Sequence, residues 1–184
     1  VVFWQQENLL QQYLPNLDRY IVLSDYDKRD YMEKLGIDCE VKINPRSFVS
    51  EKKCDVKSKR FLMATRFVYA KGLDLMMESF EEFCKEDSEW ELDIIGDGDL
   101  FDQIRADAKK RHLEKRVHFV GYTNEPEKYY LNSSVFLLPS RWEGWPMVIM
   151  EAFEFGLPVI AYHMGAMDLI IDDGKTGFLP EAFD

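Results

Sequence analysis

From Arg60 onward, short apolar runs alternate with longer stretches whose apolar residues fall at helical spacing. The short runs are 60–65 (RFLMAT), 92–96 (LDIIG), 116–120 (RVHFV), 134–139 (SVFLLP) and 158–162 (PVIAY). They are mostly apolar without strict alternation, as expected of parallel strands covered on both faces. Between them, 73–86, 99–112 and 146–155 each carry an apolar helical face. This succession predicts repeated βαβ units and an α/β fold: a Rossmann-like, doubly wound parallel sheet. Pro146 suits a first helical position, and Gly156 before Leu157 and Pro158 suits a C′ glycine that ends the helix and starts the next strand.

The first ~50 residues follow a different rhythm. A strand is predicted over 17–24, a helix over 25–35 closed by Gly36, and an extended piece over 39–45. The lysine-rich stretch 46–59 has no periodicity and is expected to be a connector. Residues 1–50 are therefore set apart from 51–184. The chain stops at GFLPEAFD after an apparent turn, which predicts a portion of a larger protein without its closing helix.

Composition narrows the function classes. Apolar residues make up 46% and charged residues 31%, the balance of a packed domain and not of a disordered chain. A formal net charge of -11 argues against nucleic acid as a partner, since that requires a basic surface. A phosphate-bearing ligand must instead be met by a few placed cations and backbone N–H groups. The three cysteines lack C-x-x-C spacing, and the three histidines form no H-x-x-H or H-E-x-x-H pattern. The sequence thus predicts reduced thiols, no metal site and a cytoplasmic setting. No apolar run reaches the ~20 residues of a membrane span, which leaves only peripheral contact with the inner face of a membrane.

Ligands of open α/β sheets bind beyond the carboxyl ends of the strands. After the first predicted strand, Arg66 and Lys71 flank a short loop that enters a helix, which makes either an anion site or two solvated cations. Gly96, Asp97 and Gly98 follow the second strand, where the glycines allow a sharp turn or a close approach to a ligand. Gly121 and Tyr122 follow the third. The fourth loop is the most informative, with Glu143 ahead of a helix and Glu151 roughly 7–8 Å further along its axis than Pro146. A nucleotide sugar laid across this helix start could use Glu143 for sugar hydroxyls, Glu151 for ribose hydroxyls and the N–H groups near Met147 and Val148 for phosphates, while without such a ligand Glu151 is a partly exposed helix edge. A pair of carboxylates for glycoside hydrolysis would have to flank one bond, which this spacing does not establish.

In order and spacing, RFVYAKGLD, LDIIGDGDL, VHFVGY, VFLLPSRWEGWPMVIMEAFEFGLPVIAY and DDGKTGFL resemble the C-terminal, donor-binding domain of retaining GT-B glycosyltransferases. The resemblance is to family 4, also called glycosyl transferases group 1, and covers about 57 to 179. Its most specific part is the pair Glu143 and Glu151 with seven residues between them.

The resemblance implies one half of a GT-B fold and transfer of a sugar from a nucleotide-sugar donor with retention of configuration. Arg66 and Lys71 would hold the diphosphate, Glu143 the transferred sugar and Glu151 the ribose. Gly96, Asp97, Gly98, Gly121, Tyr122 and Gly144 would line the donor site with Met147 and Val148. A UDP-sugar is the first expectation, with GDP- and ADP-sugars open, and no metal cofactor is implied. The acceptor would be a polysaccharide, lipopolysaccharide or glycolipid. The stretch 17–48 is similar to the end of the family's acceptor-side domain and the crossover after it, which implies that 1–50 end that domain and 51–184 form the nucleotide-sugar-binding one.

The glycine-rich loop and histidine that the family supplies from that domain are not visible, so the chain by itself is expected to bind donor but transfer poorly. Gly165, Ala166, Met167 and Asp168 depart from the Gly-Gly or Gly-Pro pair followed by Glu in many relatives. A GT-B nucleotide-sugar epimerase and a non-catalytic nucleotide-binding module are the alternatives.

Overall fold

The computed structural model describes residues 18–45 and 49–181. Leu17, residues 46–48 of the predicted connector and the last three residues lie outside them. The chain divides into two compact units, Val1–Asn44 and Pro45–Asp184.

In the first unit, β1 (Ile21–Val22) pairs in parallel with β2 (Glu40–Val41) around α1 (Asp25–Leu35). Ser24 caps the helix by accepting from the Asp27 N–H at 3.0 Å, and Gly36 closes it in the left-handed conformation. The helix bounds agree with the sequence pattern. The strands predicted over 17–24 and 39–45 shorten to two residues each, because only that much backbone is paired.

The second unit contains a six-stranded parallel sheet. Its strands are β3 (Arg60–Ala64), β4 (Glu91–Ile95), β5 (Val117–Gly121), β6 (Val135–Leu138), β7 (Val159–Ala161) and β8 (Gly177–Phe178), in the order β5-β4-β3-β6-β7-β8. The helices are α2 (Leu73–Glu86), α3 (Phe101–Lys110), α4 (Glu127–Leu131) and α5 (Met147–Glu154). The Rossmann-like sheet expected from the sequence is therefore present. All five predicted strands of this unit appear, β3, β6 and β7 trimmed by one or two residues and β4 and β5 shifted by one. The helix predicted over 99–112 spans 101–110, with His112 beyond it at a positive φ of 60°.

Alternate residues of each strand face opposite cores. Phe61, Met63, Leu92 and Ile94 join Leu73, Met77 and Phe80 of α2 and Ile104 and Ala108 of α3. On the other face Leu62, Phe136, Leu138 and Val159 pack against Tyr130 of α4 and Ile149, Ala152 and Phe155 in and beside α5. Full burial of both faces explains the nearly continuous apolar strands. The amino-terminal strand ends carry the exceptions. Arg60 bonds Glu91 at 2.5 Å and the buried Asp93 at 2.7 Å, pinning the β3–β4 register.

Pro146 is the cap residue ahead of α5 and not its first residue, with an extended ψ of 101°. The other end follows the predicted design. Gly156 has φ 76°, its N–H bonds the Phe153 carbonyl at 3.0 Å, and the Leu157 N–H bonds the Ala152 carbonyl at 2.9 Å. These two bonds make a Schellman ending that turns the chain into β7.

The predicted connector is more ordered than its composition suggests. The Cys54 N–H bonds the Phe155 carbonyl at 2.8 Å, and the Asp55 N–H bonds the Leu131 carbonyl at 3.0 Å. It fastens the ends of α4 and α5 through its backbone, which leaves no side-chain periodicity to read. Cys39, Cys54 and Cys84 are free, and burial pushes each thiol up.

Gly96, at φ 127°, lies where a Cβ would sit 1.8 Å from the Thr65 carbonyl oxygen. Gly96→Ala is expected to destabilise the second unit by about 2–4 kcal/mol through backbone strain and displacement of the β3 loop. Urea unfolding of the variant against wild type measures this.

Candidate functional site

Strand order reverses between β3 and β6, which opens a crevice at their carboxyl ends. The loop after β3 contains Arg66 and a 3-10 turn, Tyr69–Lys71, and passes through Gly72 into α2. The loop after β6 runs through Pro139, Ser140, Arg141, Trp142, Glu143, Gly144 and Trp145 to Pro146 and α5. Gly72, at φ 62°, packs so closely that a Cβ there would lie 1.9 Å from the Pro139 carbonyl oxygen. Only a residue without a side chain permits this contact.

The two loops are joined by charge as well. Lys71 Nζ donates to Glu143 Oε1 at 2.6 Å, and the buried Ser140 Oγ donates to the same oxygen at 2.6 Å. The Glu143 side chain is 7% exposed and that of Lys71 20%. Sequence reasoning gave these residues separate tasks; the structure places them in one ion pair.

Arg141 adds a second clasp. Its guanidinium donates to both carboxylate oxygens of Asp74, at 2.8 and 2.7 Å, and to the Tyr69 carbonyl at 3.0 Å. Its plane sits 4.0 Å from the centroid of the Tyr69 ring, and its own N–H bonds the Ala70 carbonyl at 2.8 Å. Planar, two-pronged donation of this kind suits Arg and not Lys. The clasp fixes the turn that carries Lys71. The hydrogen bonds from Arg141 hold the Asp74 carboxyl below the usual range.

Arg66 is exposed and makes no ion pair among the described residues, so its charge is available at the crevice. Gly96 and Gly98 take their close contacts from the protein itself. Gly96 abuts Thr65, Gly98 abuts Phe67, and the Phe67 N–H bonds the Asp97 carbonyl at 2.9 Å. These glycines let the 96–98 turn hold the Arg66 loop. The Gly96 N–H bonds the Gly121 carbonyl at 2.9 Å, linking the turns after β4 and β5, and the Tyr122 side chain beyond is 79% exposed.

Met147 and Val148 begin α5, half-buried. Their N–H groups lack partners within the helix, as first-turn groups must. Gly144 is half-buried ahead of them. Gly165 packs against the Glu143 carbonyl, 3.7 Å from a notional Cβ. That contact brings the stretch containing Ala166, Met167 and Asp168 beside the Glu143 loop. Trp142 leans on Tyr69 with ring centroids 5.9 Å apart, and the buried Trp145 Nε1 has no partner among the described residues.

Glu151 leaves the apolar part of α5 half-buried and accepts a 2.9 Å bond from the Tyr130 hydroxyl. Burial pushes the Tyr130 hydroxyl far above the ordinary phenol range, so it remains a donor. Ser140, Arg141, Asp74 and Tyr130 were not singled out from the sequence. Ser140 and Arg141 lie inside the quoted motif, whereas Tyr130 has no local signal because its partner is distant in sequence. Among the described residues no group of three or more His, Cys, Asp and Glu is arranged to hold a metal ion, and no helix is long and apolar enough to cross a membrane.

Because Asp74 has a depressed pKa when folded, its contribution to stability is present above the unfolded value of about 3.9. It is lost as pH falls through the lower folded value. The urea midpoint of Asp74→Asn is expected below that of wild type at about pH 7, with the gap closing on acidification below about pH 4. Paired unfolding curves across that range measure it.

Residues 47–184 match the family described as glycosyl transferases group 1. An uncharacterized glycosyltransferase of Haemophilus influenzae is 29% identical over 167 residues, 89% of this chain and 47% of that protein. A lipopolysaccharide 1,6-galactosyltransferase of Salmonella typhimurium is 31% identical over 132 residues, 67% of this chain and 36% of that protein. The chain thus spans half or less of the length of these relatives. The crystal structure of the pneumococcal O-GlcNAc transferase GtfA, in complex with UDP and GlcNAc, superposes with a TM-score of 0.78 at 25% identity, covering 96% of this chain and 37% of that one. With a parallel sheet wound as in half of a GT-B fold and a family match over most of its length, this chain belongs to the glycosyl transferases group 1 family.

Proposed function

We propose that the protein transfers a sugar from a nucleotide-sugar donor, first of all a UDP-sugar, to a polysaccharide, lipopolysaccharide or glycolipid acceptor with retention of anomeric configuration. In this reading it is a retaining hexosyltransferase of family 4, and the residues described here bind the donor. The single observation that carries the reading is the set of groups at the β3–β6 crevice: Lys71 paired with Glu143 just ahead of α5, and Arg66 exposed on the loop after β3. Cations and free N–H groups suit a diphosphate. A carboxylate held among them suits sugar hydroxyls.

The roles follow from charge. As the bond from the sugar to the diphosphate breaks, negative charge grows on the departing phosphate. Arg66, Lys71 and the N–H groups of Met147 and Val148 stabilise it there, where fixed donors are most effective. Glu143 holds the transferred sugar through its hydroxyls, and Glu151 holds the ribose. The turns at Gly96, Asp97 and Gly98 and at Gly121 and Tyr122 border the diphosphate and base, and Gly144 leaves room at the mouth of α5. The reading requires no metal. The UDP bound to GtfA and the acceptor named for the Salmonella relative support the donor and acceptor classes.

Calorimetric titration of the intact protein with UDP, GDP and ADP tests the donor, with UDP expected to bind most tightly. No binding by any of the three at about millimolar concentration (~4 kcal/mol of binding free energy) overturns the reading. Lys71→Ala is expected to lower kcat by about 10²–10³ through lost charge stabilisation, measured as nucleoside diphosphate released. An inverted anomeric centre in the product, read by NMR, overturns retention.

A further inference from the structure

Glu151 is a flexible acid on a helix whose neighbouring positions, Ile149 and Ala152, are fully buried. Such a side chain has three rotatable bonds and loses substantial rotamer freedom when a ligand orders it. In this protein it is ordered beforehand. Its Oε2 accepts the Tyr130 hydroxyl at 2.9 Å, while Oε1 has no partner among the described residues. The Tyr130 ring is fully buried. It stacks on Phe136 of β6 with centroids 5.8 Å apart at 10°, and on Phe155 beyond α5 at 5.1 Å and 18°. A ring held between a strand and a helix end cannot swing, so its hydroxyl is a fixed donor.

We propose that Tyr130 is a positioning residue for the nucleotide site, its hydroxyl holding one oxygen of Glu151 so that the carboxylate is presented to the ribose hydroxyls in a single orientation. This rests on the reading of Glu151 as the ribose ligand. Glu151 lies one helical turn before Phe155, on the same side of α5. The stack that fixes Tyr130 therefore continues into the acid that it orients. Tyr130 itself touches no ligand.

Tyr130→Phe keeps the stack and removes the hydroxyl. In the intact protein, the nucleoside diphosphate that binds most tightly among UDP, GDP and ADP is compared with its 2′,3′-dideoxy analogue. Tyr130→Phe is expected to weaken the ribose-bearing ligand about three- to tenfold, the net worth of one ordinary hydrogen bond, and to leave the dideoxy analogue unchanged. Combined with Glu151→Ala, Tyr130→Phe should have no further effect on either ligand.

A fall in affinity that is equal for both ligands, no fall at all, or an additive effect in the double variant overturns the proposal. Glu151→Ala by itself separates the two readings. If it weakens the ribose-bearing ligand selectively while Tyr130→Phe does not, only the positioning role fails. If it does not discriminate, or if none of the three nucleotides binds, the ribose assignment fails and this inference with it.

Discussion

The loops after β3 and β6 meet because these two parallel strands are neighbours in the sheet. That meeting is a backbone contact, Gly72 against the Pro139 carbonyl, tight enough to exclude any side chain. The other features of the crevice depend on it. It brings the Tyr69–Lys71 turn beside the Ser140–Glu143 loop, so that Lys71 reaches Glu143 and Arg141 reaches Asp74. The turns after β4 and β5 add a second layer, holding the Arg66 loop through Thr65 and Phe67. The candidate side chains are thus set by main-chain contacts between neighbouring loops, which hold position more closely than surface side chains.

How far the sequence reveals this depends on the kind of constraint. β3, β4 and β6 are buried on both faces and apolar apart from Arg60, Glu91 and Asp93, so their runs are plain. α5 is bounded by Pro146 and Gly156, residues whose backbone preferences act locally, and its limits are readable within one residue. α4 and β8 escape, because five residues make too little of a helical period and two residues of an edge strand make none. The strands of the first unit are overextended for the same reason: local composition gives β propensity but not how much of it finds a partner.

The site divides along the same line. Arg66, Lys71, Glu143 and Glu151 stand out because they are charged residues at strand ends or in an apolar helix. Their mutual arrangement does not. The Lys71–Glu143 pair spans two loops, and the Tyr130–Glu151 bond spans two helices, so both arise only once the sheet has formed. The glycines at 96 and 98 show how a right residue can carry a second meaning. A gap left for a ligand and a gap left for Thr65 and Phe67 demand the same amino acid, and only the fold tells which neighbour fills it.

The buried pairing of Lys71 with Glu143 has a further consequence. A charge removed from water without a counterpart is costly, and the cost would fall on the free protein whenever the crevice emptied. Here the pair and Ser140 meet that demand internally. At this pair the crevice is thus already compensated, and the open charge there is that of Arg66. A ligand that drew Lys71 toward its phosphates would take the counter-charge from Glu143, leaving that carboxylate to Ser140 and to whatever hydroxyls the ligand itself brings.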